Sequence, residues 1–402
     1  MIPTLSNREV VLGVTGSIAA YKACEIASRL VEYGAHVTPV LTRSALELVG
    51  AASFEAITGR RAITAMFTPY QNEAIDHIAV SQRADLFLIA PATANIIAKA
   101  AHGLADDWLS TSLLAARAPV LFAPAMNAQM YAHAAVQANI ETLRNRGAHF
   151  VGPDRGRLAC GDAGLGRMTA PMSIVEAAVP LVSGRNELAG RRVVLTSGGT
   201  REPIDPVRYI SNRSSGKMGR AIALAALARG AAVTVVTGPC EEPLPYGAEV
   251  IRVETAREMA EAVGPLARKA DVVIGVAAVA DYRPAEVGSS KRKRTGTDVQ
   301  LSLIENPDII AGLGRDKPAG QILVGFAAET DDVVAHAIQK LAKKNLDLLV
   351  ANTVGGSESG FGCDTVQAAL VSAGRNVERL GMITKVDLAE RLMDAVVSLL
   401  AR

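Results

Sequence analysis

The sequence lacks long apolar runs and has no strong excess of charge of either sign. No stretch approaches the ~18 apolar residues of a membrane-spanning helix, and the start MIPTLSNREVVLG lacks the basic and then apolar profile of a signal peptide. The formal net charge of +2 is too small to indicate binding to nucleic acid or to a membrane surface. We therefore expect a cytoplasmic protein whose ligands are small molecules.

Cysteine is also scarce. The chain has 4 cysteines in 402 residues, and they are far apart in the sequence: Cys24, Cys160, Cys240 and Cys363. This spacing excludes a CxxC metal or redox pair, and a disulfide framework is not expected in a reducing cytosol. Any functional cysteine in this protein must act alone.

The length and the hydrophobic pattern predict two α/β domains. A chain of 402 residues is too long for one ordinary core. In both halves, short strands rich in Val, Ile and Leu alternate with Ala-rich helical segments. This alternation is typical of doubly wound, Rossmann-like domains with mostly parallel sheets. We predict domains at 1–182 and 191–402, with a linker at 183–190 in the stretch VSGRNELAGRRV.

Doubly wound sheets bind ligands beyond the carboxyl ends of their strands, near a switch in strand order. The residues that follow each strand are therefore the candidate site residues. Two irregular segments, GPDRGRLACGDAGLGRM and VGSSKRKRTGTD, are predicted to be loops. Glycine-rich and charged loops above a rigid sheet often cover active sites.

In the first half, the strand ends predict a neutral pocket for a flat polar ring. The turn GVTGSIAAYK joins a strand to a helix, where backbone N–H groups and the helix dipole can receive a phosphate. A tight turn that requires glycine explains this pattern equally well. The successive strand ends all carry small or hydrogen-bonding residues: Gly16, Ser17, Thr42, Ser44, Ala92, Thr93, Met126 and Asn127.

Two further residues of this half are candidates for proton transfer. His77 lies in AIDHIAVSQRAD, ahead of the third strand, and Cys160 lies in LACGDAGLGRM. Most histidines are structural or solvated, and a lone cysteine is usually an inert buried thiol. A thiol in a glycine-rich loop, however, can reach a bound substrate and supply a proton.

The ordered strings GSIAAYK, IDHIAVS, PATAN, PAMNAQMY and ACGDAGLGRM closely resemble the flavin-dependent phosphopantothenoylcysteine decarboxylase family of coenzyme A synthesis. The resemblance implies a flavoprotein fold in which these strand ends hold FMN at a contact between subunits. It implies that His77 is the catalytic base, that Asn127 handles the substrate carboxylate and that Cys160 is the proton donor. FMN would supply the electron sink that the cysteine end of the substrate lacks.

In the second half, the string SGGTREPIDPVRYISNRSSGKMG predicts an anion-binding connection between a strand and a helix. It contains Arg208, Asn212 and Lys217, and a polar loop with solvated arginines is the alternative interpretation. The string is not a P-loop, because Ser211 stands at the first glycine position and Met218 follows the lysine.

Other strand ends and helices of this half supply a carboxylate and several lysines. Such a set suits a nucleoside triphosphate with Mg²⁺, because magnesium prefers one or two carboxylates together with phosphate oxygens. The residues are Asp281, Lys291, Asn306, Pro307, Asp308, Ile309, Phe326, Lys340 and Lys344.

The strings TREPIDPVRYISNRSSGKMG, AAVADYRP, NPDI, GFAAET and KKNLDLLVAN resemble the phosphopantothenate–cysteine ligase family of the same pathway. The resemblance implies that CTP activates 4'-phosphopantothenate as an acyl-cytidylate, from which the cysteine amine displaces CMP. Asp281 would contact Mg²⁺ or the triphosphate, and the surrounding lysines, Phe326 and the Asn306–Ile309 segment would bind CTP. Asn212 and Arg208 would bind the substrate or its intermediate.

This half departs from the family pattern at two places. The usual EKIKK string reads SKRKR at 290–294, so either Lys291 or Lys293 contacts the triphosphate. Thr353 follows Asn352 where the family has Asp, and we assign it no role. The chemistry of the residues alone does not distinguish CTP from ATP.

The two resemblances together imply a fused enzyme with trimeric flavin domains and dimeric ligase domains, which would assemble into a dodecamer. An NAD-dependent oxidoreductase is an alternative, but neither GVTGS nor SGGTRE completes GxGxxG and neither second strand ends in an acidic residue. A second alternative is a flavin-binding regulatory protein without decarboxylase activity. The presence together of His77, Asn127 and Cys160 argues against it.

Overall fold

The computed structural model of the chain describes residues 5–67, 76–159, 161–291, 293, 300–329, 333–353, 362–374 and 376–401. Contacts divide the chain into two compact units, Met1–Gly184 and Arg185–Arg402, and each is described by itself. Within the described ranges, no helix is both long and apolar enough to cross a membrane.

The first unit is built on a five-stranded parallel sheet. Its strands are β1 (Glu9–Val14), β2 (His36–Leu41), β3 (Leu86–Ala92), β4 (Val120–Pro124) and β5 (His149–Phe150). They lie in the order β2-β1-β3-β4-β5, so the strand order switches between β1 and β3. Every residue of β3 is buried, as expected of a central strand covered on both faces.

Helices follow the strands of this sheet, and several begin at a capping side chain. They are a 3-10 helix (Ile18–Tyr21), α1 (Lys22–Glu32), α2 (Arg43–Leu46), α3 (Ala51–Thr58), α4 (Asp76–Arg83), α5 (Ala94–His102), α6 (Trp108–Ala115), α7 (Ala128–Ala132), α8 (Ala134–Asn145) and α9 (Pro171–Ser183). Thr93 accepts a hydrogen bond from the Ile96 N–H at the start of α5, and Asp107 forms a capping box at the start of α6. These caps place the first turns of the helices directly after the strand ends.

The glycine-rich segment after β5 is a β-hairpin, so its prediction as a loop is wrong. Strands β6 (Asp154–Arg157) and β7 (Ala163–Arg167) pair in antiparallel fashion. The repeated glycines hide the strand pattern, because glycine has a low intrinsic preference for strands. The Leu158 N–H donates to the Asp162 carbonyl at 2.8 Å across the turn. Cys160, which comes between them in the sequence, lies outside the described residues.

The second unit is built on an eight-stranded mixed sheet. Its strands are β8 (Arg192–Ser197), β11 (Ala232–Thr237), β12 (Glu249–Arg252), β13 (Val272–Gly275), β16 (Ile322–Glu329), β17 (Leu348–Thr353), β18 (Thr365–Ser372) and β19 (Val377–Thr384). They lie in the order β12-β11-β8-β13-β16-β17-β18-β19; neighbouring strands from β12 to β17 are parallel, and the β17–β18 and β18–β19 pairs are antiparallel. The strand order switches between β8 and β13, and the predicted fold class of two doubly wound domains is confirmed.

Two short hairpins and several helices complete this unit. The hairpins are β9 (Arg201–Pro203) with β10 (Tyr209–Ser211), and β14 (Tyr282–Pro284) with β15 (Leu303–Glu305). The helices are α10 (Lys217–Leu227), α11 (Ala256–Ala267), α12 (Ile309–Arg315), α13 (Val333–Lys343) and α14 (Lys385–Leu400). The described residues of the basic segment 287–298 form neither helix nor strand.

The stretch 183–190, predicted as the linker, packs largely on the second unit. Leu188 is completely buried in the core of that unit, and its N–H donates to the Arg229 carbonyl at 3.0 Å. The Arg229 side chain is also completely buried and donates to the carboxylates of Glu390 and Asp394 at 2.7 and 2.6 Å. This ion cluster joins the end of α10 to α14.

Candidate active sites

The first unit has a cavity of about 740 Å³, within the range of small-molecule sites. Three segments line it: the 3-10 helix after β1, the turn between β4 and α7, and the β6–β7 hairpin. Of the predicted cofactor and substrate residues, Ser17, Met126 and Asn127 line this cavity directly. The described neighbours of Cys160 in the hairpin, Ala159 and Gly161, line it too.

Asn127 is held in place by the start of α7. Its side-chain oxygen accepts a hydrogen bond from the Gln129 N–H at 2.8 Å, which makes Asn127 the N-cap of that helix. The preceding N–H, that of Met126, donates to the Gly166 carbonyl in β7 at 3.1 Å. The turn that carries Asn127 and the hairpin that carries the Cys160 position are therefore joined by a backbone hydrogen bond.

Two glycines of β7 allow the hairpin to approach this turn closely. A Cβ on Gly166 would lie 2.3 Å from the Met126 carbonyl oxygen, and a Cβ on Gly164 would lie 2.7 Å from the Ala128 Cβ. Atoms do not pack this closely in folded proteins, so a larger residue at either position would push the hairpin away. Gly164 and Gly166 are therefore required by packing against the Asn127 turn.

The other predicted cofactor residues lie at the adjoining strand ends rather than in the described lining of the cavity. Thr42 caps α2, and Thr93 caps α5 after the buried residue Ala92 at the end of β3. Gly16 packs against Ser44, because a Cβ on Gly16 would lie 2.4 Å from the Ser44 Cβ. These contacts bring the ends of β1 and β2 together.

Thr15, which the sequence did not single out, links the ends of β1 and β3. Its hydroxyl is buried, donates to the Pro91 carbonyl at 2.7 Å and accepts from the Thr93 N–H at 3.1 Å. A single threonine after a strand has no distinguishing pattern in the sequence, so only the three-dimensional pairing of β1 with β3 identifies it. It fixes the geometry of the switch point.

His77 is the second residue of α4 and is half-buried. Its carbonyl accepts a hydrogen bond from the Ser81 hydroxyl at 2.6 Å, and that hydroxyl also contacts the Ser112 carbonyl of α6. His77 is not among the described residues that line the cavity. Within one chain, the described residues therefore do not bring the predicted base to Asn127.

The cavity of the first unit is not neutral, contrary to the prediction from the strand ends. Lys22, Arg157 and Arg167 line it, and no Asp or Glu is among its described lining residues. The cations come from the first turn of α1 and from the hairpin, whereas the prediction considered only the residues directly after the strands. The cavity is therefore suited to an anionic ligand.

The second unit has two cavities at the carboxyl ends of its parallel strands, and because they share lining residues we call them the two lobes of one site. The lobes have volumes of about 460 and 560 Å³, and Asp281 and Phe326 line both of them. Asp281 follows the end of β13, and Phe326 lies in the neighbouring strand β16. The carboxylate predicted to contact the metal or triphosphate thus lies where the two lobes meet.

The larger lobe contains the whole predicted Asn306–Ile309 segment and Lys344. The Asn306 side chain donates to the Ala280 carbonyl at 2.8 Å, and its N–H donates to the Asp281 carbonyl at 2.8 Å. Asp308 caps α12 and accepts from Lys344 Nζ at 2.9 Å. Burial opposes the ionisation of Asp308, but the Lys344 ammonium and the Ala311 N–H outweigh it and hold the pKa of this carboxyl below its usual value.

The smaller lobe contains two of the candidate residues, Asn212 and Lys340, together with the first turn of α10. The Asn212 side chain donates to the Val279 carbonyl at 2.9 Å, which fixes its orientation beside the end of β13. Lys385 and Ser197 also line this lobe and were missed. Neither had a recognisable motif, since one begins the last helix and the other ends an ordinary buried strand.

Two predicted residues are not brought into the described lining of either lobe. Arg208 lies between β9 and β10, where its guanidinium donates to the buried Asp205 carboxylate at 3.0 Å. Lys291 and its alternative Lys293 are exposed, and the rest of the basic stretch, Arg292 and 294–299, lies outside the described residues.

Similarity to known proteins covers nearly the whole chain. The flavoprotein family matches residues 3–183, and the C-terminal domain family of DNA/pantothenate metabolism flavoproteins matches residues 188–400. The coenzyme A biosynthesis bifunctional protein CoaBC of Bacillus subtilis is 44% identical over 398 residues, which are 98% of each chain. The protein of the same name from Escherichia coli is 46% identical over 364 residues, 90% of each chain. That of Mycobacterium tuberculosis is 44% identical over 409 aligned residues, 98% of this chain and 97% of the relative. The chain therefore belongs to the CoaBC family of bifunctional coenzyme A biosynthesis proteins.

Proposed function

We propose that the C-terminal domain joins 4'-phosphopantothenate to cysteine with CTP, and that the N-terminal domain decarboxylates the product to 4'-phosphopantetheine with FMN. The family membership supports a ligase and a decarboxylase in one chain. The observation that carries the ligase assignment is the position of Asp281 and Phe326 in both lobes of one site. Such a site can hold a nucleotide in one lobe and the carboxylate to be activated in the other.

The residues around the first cavity fit FMN. Its volume suits a flavin and part of a substrate, and its cations suit the phosphates that both carry. Ser17, Met126 and the neighbouring strand ends would hold the cofactor, whose contribution is to accept and return a hydride. Asn127 would orient the substrate carboxylate, because its amide is fixed at the start of α7 and lies on the cavity wall. Cys160, by resemblance, would donate the final proton.

We propose that a second copy of the chain completes the flavin site, so that its His77 serves as base. This agrees with the position of His77 outside the described cavity lining. It also agrees with the exposure of Ile18 and Tyr21, which are 62% and 63% exposed on the 3-10 helix beside the cavity. Large apolar side chains exposed together mark surfaces that bind other protein surfaces.

The ligase domain also carries an exposed apolar surface suited to a second copy. Val207, Tyr209, Tyr282, Leu303 and Ile304 lie on its two hairpins, and each is more than 40% exposed. Dimeric ligase domains and trimeric flavin domains would together give the dodecamer that the resemblance implies. The cytoplasmic location inferred from the sequence stays a prediction.

The charged groups of the second cavity fit a triphosphate with Mg²⁺. Among the described residues, no group of three or more His, Cys, Asp or Glu side chains could hold a metal by itself. Asp281 alone suits a magnesium ion that takes most of its ligands from phosphate oxygens and water. Lys340 and Lys344 line the two lobes and would neutralise the charge that develops as pyrophosphate leaves. Lys291 or Lys293 would add a further contact.

The decisive experiment supplies the purified protein with 4'-phosphopantothenate, cysteine, Mg²⁺ and one nucleotide at a time, and follows the products by mass. We expect 4'-phosphopantetheine with CTP and with no other nucleotide at the same concentration. Product formation with ATP but not with CTP would overturn the choice of CTP. Flavin absorbance bands separate this function from that of an NAD-dependent oxidoreductase, and carbon dioxide release separates it from that of a flavin-binding regulatory protein.

Three substitutions assign the steps to residues. His77→Asn should abolish carbon dioxide release while amide formation continues, and normal carbon dioxide release would show that His77 is not the catalytic base. Cys160→Ser should release carbon dioxide but fail to form reduced product, and normal output of 4'-phosphopantetheine would show that Cys160 is not the proton donor. Asp281→Ala should lose CTP-dependent pyrophosphate release and keep decarboxylation of added substrate, whereas unchanged release would remove Asp281 from the site.

A further inference from the structure

The cations of the first cavity have no compensating charge in the described part of the unit. Lys22, Arg157 and Arg167 line the cavity, and no Asp or Glu is among its described lining residues. Their side chains make no hydrogen bond or ion pair with any other described residue. Uncompensated cations around a cavity of this size indicate an anionic ligand, and the geometry of the hairpin singles out Arg167 among them.

A bulge in the β6–β7 hairpin determines the face on which Arg167 lies. Arg167 pairs with Asp154, but the next pair is Arg155 with Leu165. Gly166 is therefore an extra residue without a partner in β6. Because paired residues of antiparallel strands share a face and successive residues alternate, this shift places Arg167 on the face opposite Leu165. Bulges beside active sites often re-aim a side chain in this way.

The face that carries Arg167 is the inner face of the hairpin, which packs on the Asn127 turn. Gly156 pairs with Gly164 on this face, and Gly164 packs against Ala128. The Arg167 side chain lies across Gly156, because a Cβ there would be 3.0 Å from Arg167 Cδ and 3.2 Å from Nη1. Glycine at 156 leaves this space to the arginine. The side chain of Arg167 therefore runs along the inner face of the hairpin, where the cavity lies.

We propose that Arg167 binds a phosphate monoester in the first cavity, with its guanidinium donating paired hydrogen bonds to two phosphate oxygens. The planar guanidinium matches the geometry of a phosphate. The substrate and FMN both carry this group. Arg167 is carried by the hairpin that packs on the turn of Asn127, the residue that orients the substrate in the proposed function, so the substrate phosphate is the expected partner. The proposal rests on the proposed decarboxylase function and adds to it a residue that selects the phosphorylated substrate.

The substrate carboxylate is a poorer partner for Arg167 than a phosphate. Its negative charge leaves the substrate as carbon dioxide forms, so an ion pair with it would stabilise the bound substrate more than the transition state. A phosphate keeps its charge throughout the reaction, and its ion pair persists in both states. The neutral amide of Asn127 can hold the carboxylate without a full opposite charge.

The test measures kcat/KM for carbon dioxide release from 4'-phosphopantothenoylcysteine and from pantothenoylcysteine, which lacks the phosphate. Full-length Arg167→Met and Arg167→Lys, saturated with FMN, are compared with the wild type. Arg155→Met is the matched control, because Arg155 is exposed on the other face of the same hairpin, outside the described cavity lining, and its loss changes the net charge equally. We expect Arg167→Met to lower the preference for the phosphorylated substrate by about 10- to 100-fold, the range for one charge-assisted hydrogen bond. Arg167→Lys should lose less, because it keeps the charge.

Two pairs of ligands identify the phosphate that Arg167 binds. A reduced preference within the substrate pair assigns Arg167 to the substrate phosphate. Faster loss of FMN on dilution, without faster loss of riboflavin exchanged into the same protein, assigns it to the flavin phosphate. Equal effects of Arg167→Met on both members of each pair, or no effect on either pair, overturn the proposal, because the residue then acts on the carboxylate or only on the hairpin.

Two further measurements keep the proposal separate from folding and from the decarboxylase assignment. If circular dichroism shows that Arg167→Met is unfolded, Arg167→Gln replaces it in the comparison with Arg167→Lys, and an equal substrate preference of these two variants overturns the proposal. If the wild type releases no carbon dioxide from either substrate, the proposed decarboxylase function fails. Calorimetric binding of 4'-phosphopantetheine and pantetheine then decides on the phosphate site by itself: a loss confined to 4'-phosphopantetheine in the variant supports it, and wild-type affinities for both overturn it.

Discussion

Replacing Gly166 by alanine should slow the decarboxylase by moving the hairpin that carries the Cys160 position. The new Cβ would lie 2.3 Å from the Met126 carbonyl oxygen and 3.3 Å from the Ala128 nitrogen. The first of these atoms belongs to the backbone directly before Asn127, so it cannot rotate away as a side chain would. Gly166 does not have a positive φ, and the effect of the substitution is therefore steric.

The structure sets the size of the displacement and hence of the effect. Cβ contacts shorter than 3.0 Å are essentially never found, so hairpin and turn must separate by roughly 0.7 Å in a well-packed interior. A misplacement of about 1 Å in a catalytic group can cost about 100-fold in rate. We expect kcat/KM for decarboxylation to fall by about 10- to 100-fold, with an overpacking cost of about 1–3 kcal/mol in the unfolding of the first domain.

The assay supplies 4'-phosphopantothenoylcysteine directly and measures carbon dioxide release, with retained FMN quantified by absorbance. Ligase activity of the same chain is the internal standard for enzyme concentration and should not change. Gly50→Ala is the matched control, because Gly50 lies in the same unit with an ordinary φ of −81° and has open space around its Cβ position. Gly166→Ala with wild-type kcat/KM and full flavin content would refute the role of hairpin docking.

Three other substitutions test the contacts that support the two sites. Thr15→Val removes the hydroxyl that accepts a hydrogen bond from the Thr93 N–H. It should lower the unfolding free energy of the first domain by about 1–3 kcal/mol and weaken FMN retention, which is measured as flavin loss on dilution. Unchanged retention and stability contradict this. Lys344→Met should raise the pKa of Asp308, which NMR titration of the carboxyl measures. Because the pKa of Asp308 is depressed in the folded state, its ionised carboxylate stabilises the fold above the unfolded pKa, and this stabilisation is lost as pH falls through the folded pKa. The variant should therefore gain less stability than the wild type between acid and neutral pH. An unshifted titration of Asp308 contradicts this. Arg229→Met removes the buried guanidinium from Glu390 and Asp394, which are partly exposed and keep Arg185 as a second partner. The loss of these charge-assisted hydrogen bonds should cost about 1.5–3 kcal/mol of unfolding free energy in denaturant titrations of the second domain, and an unchanged free energy contradicts this.

The strands were predictable from the sequence because their side chains must be apolar on both faces. β3 is buried at every position, and this produces the continuous apolar run LFLIAPA that distinguishes it from a helix. The β6–β7 hairpin was not predictable in this way. Its strands have no apolar face, and their conformation depends on the contacts of Gly164 and Gly166 with a turn located some 40 residues earlier in the chain. Local propensity carries no information about such contacts.

The candidate site residues likewise fall into those that the sequence indicates and those that only the structure identifies. Asn127, Asp281 and Phe326 could be proposed from the sequence because they lie in or after strands whose ends meet at one edge of their sheet, and all three line a cavity. Lys385 and Ser197 belong to the same cavity but were missed, because a lysine at a helix start and a serine at a strand end are common everywhere. Their chemical meaning comes from a burial and a charge environment that only the folded chain creates.

The positive charge in both cavities follows from the chemistry that the two reactions share. In the proposed pathway the product of the ligase is the substrate of the decarboxylase, so the same phosphorylated pantothenoyl group must bind in each domain. Lys22, Arg157 and Arg167 provide cations in the first cavity, and Lys217 and Lys385 do so in the second. The strand ends still differ, with the neutral amide of Asn127 in one and the carboxylate of Asp281 in the other. We infer that the strand-end residues of the two sites differ because amide formation and decarboxylation need different groups. Both cavities carry cations because neither reaction alters the phosphate of the pantothenoyl group.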